Sequence, residues 1–148
     1  MIPQRINLIF YSTLAVIICY IDRVNISVAI IPMQEQFGWS DSQVGFIFSS
    51  FYLGYMLTMA LGGYLSDKFG GKRVLGWGVV LWSIFTILTP LAAHNGFFAL
   101  FFIRILMGVG EGVTFPAWHS LYARWIPFNE RTRAIAFTNS GISIGTII

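Results

Sequence analysis

Apolar residues fall along this chain in five long blocks: Ile6 to Ile31, Gln43 to Leu65, Val74 to Ala93, Phe97 to about Tyr122, and Ala134 to the end. The connectors between them are short and either polar or bent. Residues 32–42 carry Gln34, Glu35, Gln36, Gly38 and Asp41, residues 66–73 are glycine-rich and basic, His94-Asn95-Gly96 is a tight turn, and residues 124–133 contain Pro127. Each complete block is close to the roughly 20 residues that a helix needs to cross hydrocarbon. Backbone polar groups in lipid must be satisfied within the segment, and no alternating barrel pattern is present, so all five blocks are predicted to be transmembrane helices. The fifth has fifteen residues before the end, too few to cross about 30 Å at about 1.5 Å per residue. A fragment of a longer protein is therefore expected.

Composition supports an all-α integral membrane protein: 56% of residues are hydrophobic, 17% aromatic and 10% charged, with a mean hydropathy of +0.73. A soluble domain of this length is far more polar. Charge then orients the spans. Arg5, Lys68, Lys72, Arg73, Arg124, Arg131 and Arg133 fall on one side, and the opposite connectors hold only Glu35 and Asp41, which places the amino terminus in the cytoplasm by the positive-inside rule. The net charge of +3 reflects this topology, and no basic patch with interleaved aromatics points to nucleic acid.

Several local patterns lose their meaning in context. Arg5 and Ser27-Val28-Ala29 suggest a signal peptide, but the long apolar stretch is followed by a charged pair before any cleavage point. Asn25-Ile26-Ser27 fits a glycosylation acceptor yet lies at membrane depth. Gly108-Val109-Gly110-Glu111-Gly112 resembles part of a phosphate loop, but no strand precedes it. Those glycines, like Gly141 and Gly145, are expected to admit a neighbouring helix closely. His94 and His119 have no second ligand at metal spacing, and no nucleophile sits beside a base. No metal, cofactor or enzymatic activity is expected. Cys19 has no disulfide partner and reads as a small packing residue.

Four charges inside the spans carry the chemistry. Asp22 and Arg23 follow sixteen uncharged residues, Ile6 to Ile21, and Arg104 and Glu111 lie in the fourth span. Each costs about 2.5–3.5 kcal/mol if left unpaired at the bilayer centre. Adjacent residues point about 100° apart, so Asp22 and Arg23 must find partners on other helices. Arg104 and Glu111 share a face but stand about 10 Å apart along the axis. Depth arithmetic puts Asp22 about 14 Å and Arg104 about 10 Å from the outer ends of their spans, near enough to meet, and brings Glu111 within reach of an inward-pointing Arg23. The helix wheel groups Tyr11, Ala15 and Asn25 with Asp22, and Ser12, Cys19 and Ser27 with Arg23; the second span adds Tyr52, Tyr55 and Thr58. The four charges sum to zero. Protonation of one carboxylate leaves +1, which an anion can cancel, so proton and anion favour each other's binding. A static network that holds helices in register is the alternative.

The loop Gly63-Tyr64-Leu65-Ser66-Asp67-Lys68-Phe69-Gly70-Gly71-Lys72-Arg73 resembles the signature of the major facilitator superfamily, with Gly71 where a basic residue is usual. Its Gly63, Asp67, Lys68, Gly70, Lys72 and Arg73 form a candidate loop latch, in which Asp67 bonds a neighbouring helix end or arginine. Asp22-Arg23-Val24-Asn25 and the stretch from Arg104 to His119, followed by Trp125, Pro127, Glu130 and Arg131, resemble the anion:cation symporter branch. That branch includes bacterial sugar-acid:proton symporters and animal and plant organic-anion and phosphate carriers. The resemblance implies a twelve-helix carrier of two six-helix bundles working by alternating access, with this sequence as part of the first bundle and the carboxy-terminal half missing. It also implies that Asp22 and Glu111 are protonation sites, that Arg23 binds the substrate carboxylate, that Arg104 partners Asp22, and that Tyr20 and Tyr55 line the pocket. Asn139 is a further candidate, being polar in an apolar block. Pro116 is expected to bend the fourth helix.

The expected function is proton-coupled symport of a small organic anion, such as a hexonate or hexuronate. An exchanger or facilitator, including one for phosphate, is the alternative, and a non-transporting scaffold or sensor is the alternative of another class. Short loops and the lack of an amino-terminal extension point to a bacterial cytoplasmic membrane.

Overall fold

A computed structural model describes residues 4–147. Among these, the chain forms six α-helices and no strand: α1 Gln4–Phe37, α2 Asp41–Phe69, α3 Gly71–Asn95, α4 Phe97–Gly112, α5 Thr114–Trp125 and α6 Phe128–Ile147. All five predicted spans are helical, and the fourth is in two pieces. The helices α1, α2, α3 and the combined stretch Phe97–Trp125 are long and apolar enough to cross a membrane.

The helices outrun their apolar blocks because capping, rather than hydropathy, ends them. Ser40 starts α2 with a capping box: its hydroxyl accepts from the Gln43 backbone N–H, and the Gln43 side chain accepts from the Ser40 N–H at 2.9 Å. Between α2 and α3 the predicted eight-residue loop shrinks to Gly70 alone, which adopts φ 88°, a conformation that costs glycine little, and donates to the Ser66 carbonyl at 3.0 Å. The last helix begins at Phe128 rather than Ala134, so Glu130, Arg131 and Arg133 belong to its first turns. Arg131 closes the preceding joint by donating to the carbonyls of Ala123 and Ile126 at the end of α5.

The interruption at Val113 has a local cause. Pro116 lacks an N–H, and its ring crowds the carbonyl four residues back, that of Gly112. The hydrogen-bond ladder breaks at that point while the backbone stays right-handed: Val113, at φ −78° and ψ −13°, turns its N–H to the Glu111 carbonyl, and a new helix starts at Thr114.

In the packing, α4 lies between α2 and α3, and α1 lies along α6. The close approach needs glycine. A Cβ on Gly108 would collide with the Phe51 carbonyl, one on Gly110 would lie 2.8 Å from the Trp82 backbone nitrogen, and one on Gly145 would lie 2.5 Å from the Ile17 carbonyl. Three apolar layers stack along the axis. Ile30, Trp39, Ile47 and Leu100 fill the acidic end, Phe51, Trp82 and Met107 the middle, and Trp118, Leu121, Tyr122 and Ile126 the basic end. The four intramembrane charges therefore sit at the level of the middle layer.

Candidate functional site

Glu111, in the last turn of α4, is 0% exposed. From α1, Arg23 donates its Nε–H to Glu111 Oε2 at 3.1 Å, and the Cys19 thiol, one turn earlier, donates to the same oxygen at 3.0 Å. The guanidinium is also held by rings: its carbon lies 4.9 Å from the centre of Tyr20, 5.1 Å from Phe51 and 4.6 Å from Tyr55. Three aromatic faces offset part of the desolvation of a cation without neutralising it. Glu111 Oε1 and Arg23 Nη2 are buried without a hydrogen-bond partner among the described residues. The pair thus retains one free acceptor and one free donor in a place where leaving either unmade is costly.

Asp22 faces the other way around α1. Its Oδ2 accepts from Thr86 Oγ1 on α3 at 3.4 Å; Thr86 Oγ1 lies 3.9 Å from Met107 Sδ, and the same sulfur accepts from Arg104 Nη1 at 3.2 Å. Arg104 is 3% exposed, and its guanidinium lies 5.0 Å from the Phe51 ring, so that one ring serves both arginines. Asp22 and Arg104 form no direct ion pair; Thr86 and Met107 connect them instead. Asp22 and Arg104 line a small pocket of about 120 Å³ together with Asn25, Thr86 and Thr89. A wider groove of about 600 Å³, walled by Leu8, Leu75, Val79 and Leu121 near the basic end, contains none of the four charges.

At the basic end, Asp67 of the signature loop meets α5. Ser120 Oγ donates to its carboxylate at 3.3 Å, and Arg124 Nη2 lies 3.8 Å from that carboxylate and 3.4 Å from the Asp67 carbonyl. Lys68 lies over the rings of Tyr64 and Phe69, while Lys72 and Arg73 are exposed in the first turn of α3. Gly71, where the pattern has a basic residue, is buried: a Cβ there would lie 2.6 Å from the Ala117 carbonyl. Its departure from the pattern is thus a close helix approach, with no room for a side chain. Arg5 pairs with Glu130 at 3.4 Å across the starts of α1 and α6.

Sequence reasoning missed several groups. Cys19 is a donor to Glu111, Phe51 is the shared ring, and Thr86 and Met107 link Asp22 to Arg104. Thr86 had a signal in the three-residue spacing of Ser83, Thr86 and Thr89 through an otherwise apolar span. On α6, Asn139 is exposed and makes no side-chain hydrogen bond among the described residues. Its neighbour Thr138 is the buried polar group, bonded to the Tyr122 hydroxyl on α5 and to Thr13 on α1.

The family model of the Major Facilitator Superfamily matches residues 12–148. Among curated proteins, the chain is 48% identical to Probable anion transporter 4, chloroplastic, of Oryza sativa subsp. japonica, over 98% of this chain and 24% of that protein. It is 47% identical to the Ascorbate transporter, chloroplastic, of Arabidopsis thaliana, over 98% of this chain and 27% of that protein. It is also 47% identical to Sodium-dependent phosphate transport protein 1, chloroplastic, from the same plant, over 98% of this chain and 28% of that protein. The crystal structure of a bacterial homolog to the human lysosomal transporter Spinster, inward-facing and occupied, superimposes with a TM-score of 0.90 at 28% identity, covering 98% of this chain and 31% of that one. The chain thus spans about a quarter of the length of these curated relatives. Their names overturn the expected bacterial cytoplasmic membrane, because all three are chloroplastic. Short loops and a basic bias reflect insertion into a bilayer and do not say which organelle the bilayer bounds. The family match over nearly all of the sequence, joined to the helical architecture and the buried charges, has one conclusion: the chain belongs to the major facilitator superfamily.

Proposed function

We propose that this chain is part of the amino-terminal bundle of a secondary carrier that moves a small organic anion together with a proton, by alternating access, across a chloroplast membrane. The observation that carries this reading is the buried Arg23–Glu111 pair, with a free donor on Arg23 Nη2 and a free acceptor on Glu111 Oε1. A proton on Glu111 removes the negative charge that Arg23 now faces. The guanidinium, still cradled by Tyr20, Phe51 and Tyr55, then offers its charge to an incoming carboxylate. Deprotonation restores the ion pair and disfavours the anion. Each ligand thereby raises the affinity for the other, the reciprocal coupling that symport requires. Asp22 and Arg104, linked through Thr86 and Met107, supply a second titratable carboxylate beside a second buried cation. The relative named for ascorbate supports a small organic anion; ascorbate carries its charge on an enolate and hexonates and hexuronates on a carboxylate, but all are sugar-derived monoanions of similar size.

A second reading, phosphate driven by sodium, is favoured by the relative named a sodium-dependent phosphate transport protein. Proteoliposomes carrying the complete protein distinguish the two. Symport predicts accumulation of labelled ascorbate or a labelled hexonate under an inward proton gradient, and collapse of that accumulation when the gradient is dissipated. Accumulation of phosphate that follows a sodium gradient and ignores the proton gradient overturns the first reading.

A further inference from the structure

Cys19 has no role in the scheme above, yet it touches the centre of it. The thiol is 1% exposed and 3.0 Å from Glu111 Oε2, the same oxygen that receives Arg23 Nε at 3.1 Å. Two donors from one helix face thus converge on one carboxylate oxygen, and the other, Oε1, is buried with no partner among the described residues. We infer that Cys19 is a positioning residue: with Arg23 it occupies Glu111 Oε2, and so makes Oε1 the atom that gains and loses the coupled proton. This inference rests on the proposed function, in which Glu111 is a proton site.

The chemistry follows from the donor count. A carboxylate oxygen that already accepts two hydrogen bonds is a poor place for a proton, because protonation would set an O–H against an N–H and an S–H. On Oε1 the proton meets no such conflict, and Oε2 becomes the carbonyl oxygen, still bonded to both donors. The thiol is also the gentler donor of the two. An S–H bond is weaker than O–H or N–H, so it orients the carboxylate without fixing it in the ionised form.

Other groups near Glu111 do not duplicate this role. From α1 these are Arg23 and, on the adjacent side, Asp22; from α2, Tyr55 lies against the Arg23 guanidinium; and Arg104 lies two turns away on α4. Among the described residues, α3, α5 and α6 make no hydrogen bond or ion pair to Glu111. Cys19 is thus the one adjustable donor besides the arginine itself.

The test needs no substrate. Infrared difference spectra of the complete protein in lipid nanodiscs, titrated with acid, show the carbonyl stretch of a protonated Glu111 as the band lost in Glu111→Gln. In Cys19→Ala and in Cys19→Val, which fills the same space without a donor, this band moves to higher wavenumber, and the pH at which it half-forms rises by about half to one unit, the share of a weak hydrogen bond to a charged group. Cys19→Ser, a stronger donor, moves both the opposite way. Should the alanine and valine variants fail to fold, the serine variant decides alone. Spectra of all folded variants that overlay the wild type overturn the inference while leaving the proton site intact. If the wild type has no titrating band that Glu111→Gln removes, the proposed function fails first and the inference falls with it.

Discussion

Removing Arg23 tests the buried pair most directly. In Arg23→Met the chain keeps an apolar stem among Tyr20, Phe51 and Tyr55, while Glu111, 0% exposed, is left with the Cys19 thiol as its remaining hydrogen bond. Breaking a buried ion pair from one side costs about 3–5 kcal/mol, because the surviving charge is uncompensated. Glu111→Gln is milder. Its amide oxygen still accepts from Arg23 Nε, and the arginine, whose side chain is 17% exposed, still rests on three rings, so the loss is nearer the 1–2 kcal/mol typical of a weakened charged hydrogen bond. In the double variant no unpaired buried charge remains. The cycle therefore predicts a favourable coupling of about 2–3 kcal/mol, roughly 30- to 150-fold in the unfolding equilibrium. Denaturant titration of the complete protein in bicelles, followed by tryptophan fluorescence, measures it. A second signature is pH: the cost of Arg23→Met shrinks in acid, because a protonated Glu111 has no charge to compensate. Additivity of the two single changes within about 0.5 kcal/mol, or a cost of Arg23→Met that is the same at every pH, would refute the reasoning.

Transport separates the two carboxylate systems: Asp22→Asn should depress proton-driven accumulation more than counterflow exchange, whereas Arg23→Ala should weaken anion binding in both assays. Gly108→Val drives a side chain into the Phe51 carbonyl and the Tyr55 nitrogen, 3.0 Å from an added Cβ, and is expected to cost about 1–3 kcal/mol or to prevent folding. Gly45→Ala, with open space around it, should instead stabilise the helix by about 0.5–1 kcal/mol, and thermal unfolding ranks the pair. Thr138→Val strands the Tyr122 hydroxyl and should cost about 1–3 kcal/mol. Asn139→Ala should stay within about 0.5 kcal/mol, and a reversed order would show that α6 faces the other way.

Much of the architecture was legible because a bilayer enforces it. Spans of bilayer length, the basic end and the glycine contacts all follow from rules that act on one residue type at a time. Helix ends were less legible: Gly70 alone joins two helices because its φ replaces a loop, and hydropathy does not register that. In the site, spacing and depth sufficed for Arg23 and Glu111, since a long side chain tolerates an error of a turn. For Asp22 and Arg104 they gave the shared pocket but not the contacts within it. Which atoms join these two depends on Thr86 of α3 and Met107 of α4, and Thr86 looks from sequence like any small hydroxyl. Asn139 and Thr138 show the same limit. Neighbouring positions on one helix differ by about 100° in direction, and only the packing against Tyr122 and Thr13 selects which of them is buried.

The break in hydrogen bonding at Val113 makes the angle between α4 and α5 a lever arm for everything beyond it. Twelve residues of α5 reach about 18 Å beyond the joint, so a tilt of only about 10° there carries the far end sideways by about 3 Å. Ser120 and Arg124 ride on that arm, and their grip on Asp67 is 3.3–3.8 Å long. The Gly71–Ala117 contact and the buried Trp118 and Tyr122 hold that arm against its neighbours, so the reach of Ser120 and Arg124 to Asp67 is set by the angle kept at Val113.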